Sequence, residues 1–102
     1  MDEETRVLIG ARLDRAREDM ETANDLLNIK RYRAAVNRAY YAIFGVTTGL
    51  LLTEKIERSK HAGVEAALIQ FFIKKGIIEP DYGRIFDYIR KKSFEDGPPL
   101  TI

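Results

Sequence analysis

The chain has no cysteine, no tryptophan, one histidine and three prolines in 102 residues. Without cysteine there is no disulfide framework, no thiolate zinc site and no thiol nucleophile. With one histidine, a site that needs two imidazoles from one subunit is excluded. An excess of one charge is missing too: 17 Lys and Arg stand against 16 Asp and Glu, a formal net of +1. Wholesale polyanion binding has no support in that balance, so only the distribution of charge can speak to it. No stretch reaches the ~20 apolar residues of a membrane span; the longest, Ala42 to Leu52, carries two Gly and two Thr. The opening MDEETR is acidic and polar, the reverse of a secretory leader. A cytoplasmic protein without membrane contact is the expectation.

What is present is a chain 45% apolar and 32% charged, suited to one small domain. Ile9, Leu13, Ala16, Met20, Ala23 and Leu27 recur at steps of four and three and predict a helix over residues 7–29. Arg15, Asp19, Arg17 and Glu21 fall on its polar faces, and Glu3 and Glu4 sit where a helix start prefers acids. A second helix, Tyr32 to Thr53, is apolar nearly all round, as a central helix is. One of its stripes is small: Ala35, Arg38, Ala42, Gly45 and Gly49. A third helix is expected from Ala62 to Lys75, closed by Gly76, and a fourth from Pro80 through Arg90, Lys91 and Lys92. The pattern predicts an all-α, antiparallel up-and-down four-helix bundle over residues 1–94, with an irregular tail over 95–102 holding Gly97, Pro98 and Pro99.

Charge is segregated. Residues 1–28 carry a net −4, residues 29–60 a net +5, and residues 61–102 balance. The basic middle segment suits phosphate, or forms a solvated rim facing the acidic first helix. Gly45 and Gly49 lie inside a helical pattern and do not form a phosphate loop. Paired carboxylates are expected only on the exposed face of the first helix. His61 opens the third helix, where it caps, packs or joins a site. No metal site and no cofactor are expected.

The run Tyr32–Arg33–Ala34–Ala35–Val36–Asn37–Arg38–Ala39–Tyr40–Tyr41–Ala42–Ile43–Phe44 closely resembles the central helix of prokaryotic HEPN domains, of the type associated with a minimal nucleotidyltransferase. Lys60–His61–Ala62–Gly63–Val64 resembles the element that opens the family's next helix, and residues 76–84 resemble the approach to its fourth. The resemblance covers roughly residues 10–92. It implies a helical bundle that pairs with a second copy. Many members are RNA-cleaving toxins encoded beside a nucleotidyltransferase-like antitoxin, and others bind nucleotide, RNA or protein without catalysis. Catalytic members carry an Arg, four to six residues, then a His on the central helix.

Here Arg38 matches the Arg, while the His position holds Gly45. A hydrogen atom supplies no group that titrates near neutrality. The resemblance therefore implies a degenerate member: a dimeric binding module for nucleotide, RNA or a nucleotidyltransferase-like partner, in a toxin–antitoxin-type system. The expected contact residues are Arg38, Tyr41, Arg31 and His61, and the expected dimer face is the stripe Ala35, Arg38, Ala42, Gly45 and Gly49. Two alternatives stand beside it: a ribonuclease toxin using Arg38 with His61, and a purely structural bundle in which Arg38 only stabilises the dimer. Family members also continue with a further packing helix, in whose place stands the tail from Ser93.

Overall fold

The computed structural model describes residues 1–95, all helices and connections. Helix α1 spans Glu3–Asn28, α2 Tyr32–Leu52, α3 His61–Leu68 and α4 Pro80–Glu95. Helix α1 begins a turn earlier than the apolar periodicity indicates, because Asp2 caps it: the Thr5 amide donates to the Asp2 carboxylate at 2.7 Å. Beyond Leu68 the third helix widens into a π-helical turn, Ile69–Ile73, in which the Lys74 amide reaches the Ile69 carbonyl at 2.8 Å. Helix α4 includes Glu95, the first residue of the expected tail; 96–102 lie outside the described residues.

Helix α2 is central. It packs on α1 along one side and on α3 and α4 along the other. Tyr40, Leu51, Val64, Ala67, Leu68, Phe72 and Phe86 form the buried core between α2, α3 and α4. Contacts between the start of α2 and the end of α4, such as Asn37 with Ser93, together with Tyr40 against Phe86, make those two helices antiparallel. Gly83 of α4 admits the π turn closely, since a Cβ there would stand 2.7 Å from the Ile73 side-chain tip.

The α1–α2 contact corrects the reading of both helices. On α1 the buried residues are Ala16, Asp19 and Ala23, whereas Leu13, Met20 and Leu27 are 40%, 48% and 51% exposed. The seam is thus rotated toward the small residues. Its partner is the small stripe of α2: a Cβ on Gly45 would touch the Ala16 Cβ at 3.4 Å, and one on Gly49 would meet Leu13, Arg12 and Ile9. Ala35, Ala42 and Gly49 are buried within one chain. The stripe expected to meet a second copy is therefore covered by α1, because small residues on both helices let the axes approach and leave the large side chains at the margins.

The basic middle segment is also divided. Lys30, Arg31 and Arg33 lie at one end of α2 and Lys55, Arg58 and Lys60 beyond the other, about 30 Å apart at 1.5 Å per residue.

Three helix ends close in the same way. The amides of Arg31, Ile56 and Ile77 reach back to the carbonyls of Leu26, Leu51 and Phe72 at 2.8, 3.0 and 2.9 Å. The residues just before those amides, Lys30, Lys55 and Gly76, are left-handed, at φ 64°, 58° and 77°. Only Gly76 holds that conformation without a Cβ clash. Lys55→Gly is expected to stabilise the fold by about 0.5–1 kcal/mol, and Gly76→Ala to cost about 1 kcal/mol. The two should move the urea midpoint in opposite directions at unchanged slope.

Candidate functional site around Arg38

Arg38 stands on α2 one turn before Ala42 and two before Gly45. Because Gly45 lets α1 lie close, Asp19 comes within reach: Arg38 Nη1 donates to Asp19 Oδ1 at 3.3 Å. Arg15 Nε lies 3.7 Å from the same oxygen. Asp19 is only 7% exposed. The expectation that it sits on the polar face of α1 is corrected here; a carboxylate can be buried at that seam because a guanidinium meets it there. The Arg38 guanidinium lies over the Tyr41 ring, 4.9 Å from its centroid. Its Nε is buried without a hydrogen-bond partner, which leaves the fork incompletely used.

His61, the first residue of α3, also meets Tyr41, edge to face, with ring centroids 6.4 Å apart. His61 packs on Phe44 at 4.6 Å between centroids. Its Nδ1 lies 2.6 Å from the Tyr40 hydroxyl. Burial, and then the charge of Arg90, hold the imidazole below its ordinary pKa, so it is neutral at pH 7. Burial likewise pushes the Tyr40 hydroxyl up and keeps its proton on. If that hydroxyl donates to Nδ1, the imidazole proton resides on Nε2. Arg90 is itself fastened to Glu65, its Nε donating at 2.8 Å.

Of the residues expected from the sequence, Arg38, Tyr41 and His61 come together in one contact chain. Arg31 does not join them: it is exposed in the turn before α2, about 10 Å along the axis from Arg38. Gly45, two turns beyond Arg38, faces α1. Sequence reasoning missed Asp19, Tyr40 and Phe44 as members of the cluster. For Asp19 a signal existed, since it falls three residues after Ala16 and four before Ala23. For the Tyr40–His61 bond none existed, because 21 residues of chain separate them. Among the described residues no cluster of three or more His, Asp or Glu is placed to hold a metal, and no helix is long and apolar enough to cross a membrane.

An all-α bundle on a central Y-R-A-A-V-N-R-A-Y-Y helix, with its motif arginine tied to an acid of α1, defines a class of helical domain. The HEPN domain family model matches residues 9–96, and the chain belongs to that family. It is 42% identical over 85 residues to "Putative toxin MJ0605" of Methanocaldococcus jannaschii, covering 83% of this chain and 63% of that protein. It is 41% identical over 73 residues to a UPF0332 protein of Thermotoga maritima, covering 72% and 55%. With "Putative toxin MJ0142" of the same archaeon it shares 33% over 79 residues, 78% and 52%. The chain thus spans about half to two-thirds of the length of these relatives. No solved structure matches it.

The single histidine makes the site easy to test. Its imidazole should titrate by NMR with a midpoint below the ordinary ~6.5. With the folded pKa lowered, the unfolded chain binds more protons between the two values. Folding stability should therefore fall as pH drops from about 6.5 through the folded midpoint, and His61→Asn should remove that component. Tyr40→Phe keeps the ring and removes the hydroxyl; a loss of about 1–2 kcal/mol in urea unfolding is expected.

Proposed function

We propose that the chain is a non-catalytic HEPN module that binds RNA or a nucleotide through Arg38, with Tyr41 and His61 beside it. The observation that carries this reading is the pairing of a retained Arg38 with Gly45 at the motif's His position. Position 45 is turned against Ala16 of α1 and offers no group to move a proton. Arg38 keeps a fork able to grip a phosphate. Tyr41 offers a π face already used by one cation, and a base can share it. Asp19 tempers the site, since its carboxylate occupies part of the guanidinium that a phosphate would take.

The toxin names carried by two relatives support a place in a toxin–antitoxin-type system, and the family resemblance makes a nucleotidyltransferase-like protein the partner to look for. Pairing of two copies belongs to the same reading. Leu13 and Met20 of α1 and Val46 of α2, each 39–48% exposed, line an apolar groove of about 390 Å³, which supports it. A dimer seated there should dissociate with Met20→Glu, read as a shift to monomer in sedimentation; an unchanged sedimentation coefficient would put the pairing surface elsewhere.

A second reading, a ribonuclease using His61, is favoured by one feature: a guanidinium and an imidazole both neighbour the Tyr41 ring, 4.9 and 6.4 Å from its centroid. The two readings separate on structured and single-stranded RNA. For the binding module, no cleavage is expected. Arg38→Gln should weaken RNA binding severalfold and lower the slope of log affinity against log salt by about 1. The substitution is made alone and together with Asp19→Asn, so that no buried carboxylate is left unpaired. Cleavage abolished by both Arg38→Gln and His61→Asn would transfer the conclusion to the ribonuclease.

A further inference from the structure

Asp19 is shared between two cations. Its Oδ1 accepts from Arg38 Nη1 of α2 at 3.3 Å and lies 3.7 Å from Arg15 Nε of its own helix. The two guanidinia stand in different surroundings. Arg38 is held at the α1–α2 seam, its side chain 22% exposed, over the Tyr41 ring. Arg15 is a surface side chain, 72% exposed, and at its distance the pair is ionic without a hydrogen bond.

Neither pairing is closed. Asp19 holds the Arg38 fork at one terminal nitrogen while the buried Nε has no partner, whereas a bidentate pair would use two parallel donors. Arg15 precedes Asp19 by four residues, and residues so spaced are neighbours on a helix surface. An exposed side chain can therefore close on the acid with no movement of the backbone. The seam itself rests on Ala16 against Gly45, so α1 stays docked when Asp19 changes partner. One difficulty faces any anion that comes to Arg38: it displaces Asp19, and a buried carboxylate left without a cation is costly. Arg15 is placed to remove that cost.

We propose that Asp19 and Arg15 form a salt-bridge exchange that regulates the Arg38 site: Asp19 occupies the guanidinium until a phosphate group takes it, then passes to Arg15. This rests on the reading of Arg38 as a phosphate-binding residue and adds what controls it. Within the triad, two guanidinia first share one carboxylate; with the phosphate bound, each has an anion of its own. Arg15 touches no ligand. It is a positioning residue that acts through Asp19.

The test is an NMR titration of the full chain with a short single-stranded RNA and, separately, with inorganic phosphate, read on the amides of Tyr41 and Gly45. Asp19→Asn should tighten binding about tenfold, the worth of a hydrogen bond to a charged group. Arg15→Gln should weaken it about two- to fivefold, as the loss of an exposed ion pair does. The deciding variant combines the two. With Asp19→Asn there is no carboxylate to receive, so adding Arg15→Gln should leave affinity unchanged. Arg15 lies on the surface, so its substitution tests the exchange without disturbing the seam, and the spectra verify that each variant is folded. Two results would overturn the proposal. One is affinity no tighter in Asp19→Asn; the other is an Arg15→Gln loss that persists beside Asp19→Asn, which is attraction at a distance. The reading of Arg38 fails separately: if Asp19→Asn with Arg38→Gln binds as tightly as Asp19→Asn alone, the anion is held elsewhere and both conclusions fall.

Discussion

Gly45 and Gly49 on α2, facing Ala16 and its neighbours on α1, let two long helices touch almost backbone to backbone, and the site depends on that approach. At this spacing the short side chain of Asp19 reaches Arg38. A larger residue at position 45 would push the axes apart and strand both charges. Neither charge is cheap to hold there, since removing a guanidinium and a carboxylate from water costs several kcal/mol and is offset only while they face each other. The pair is incompletely satisfied, with the Arg38 Nε lacking a partner.

The other side of α2 is fastened by aromatic packing. Tyr40 is fully buried and touches Phe86 of α4 and His61 of α3. One residue later, Tyr41 faces Arg38. Adjacent tyrosines on one helix therefore connect the buried core to the charged site. His61 is a packing residue that is also a titratable one: the Tyr40 hydroxyl engages one ring nitrogen, and burial keeps the ring neutral. This is why the titration of the histidine is linked to the stability of the fold. It is also why its separation from Gly45 in sequence says little about its distance from Arg38.

Charge illustrates a different lesson. The middle of the chain is basic, but α2 carries the two halves of that segment to opposite ends of the bundle. Across helices the cations regroup: Arg33 from α2 comes beside Lys92 from α4, with Tyr32 and Tyr88. Residues 61–102 are neutral overall, so their contribution is invisible to any count of charge along the chain.

Much of the architecture was legible in the sequence, because helix periodicity, caps and breakers are local. The four helices, the turn at Gly76, the proline that opens α4 and the membership in the HEPN family all follow from short stretches of residues. The central helix was recognisable from its apolar faces, and Arg38 and the vacancy at Gly45 from the motif. The details of burial were not legible. An α-helix offers several stripes at steps of three and four, and residues 9, 13, 16, 20, 23 and 27 fit one as well as 9, 12, 16, 19, 23 and 26 fit another. Only the facing helix chooses between them, and α2 chose the small side chains together with Asp19. Long-range partners such as Asp19 with Arg38 and Tyr40 with His61 are likewise set by how α1 and α3 dock on α2. The sequence by itself determined which segments are helical and to which family the chain belongs. The tertiary structure alone decided which face of each helix is buried, and thus which acid meets the arginine, because docking is settled by the fit of two surfaces and by no single one.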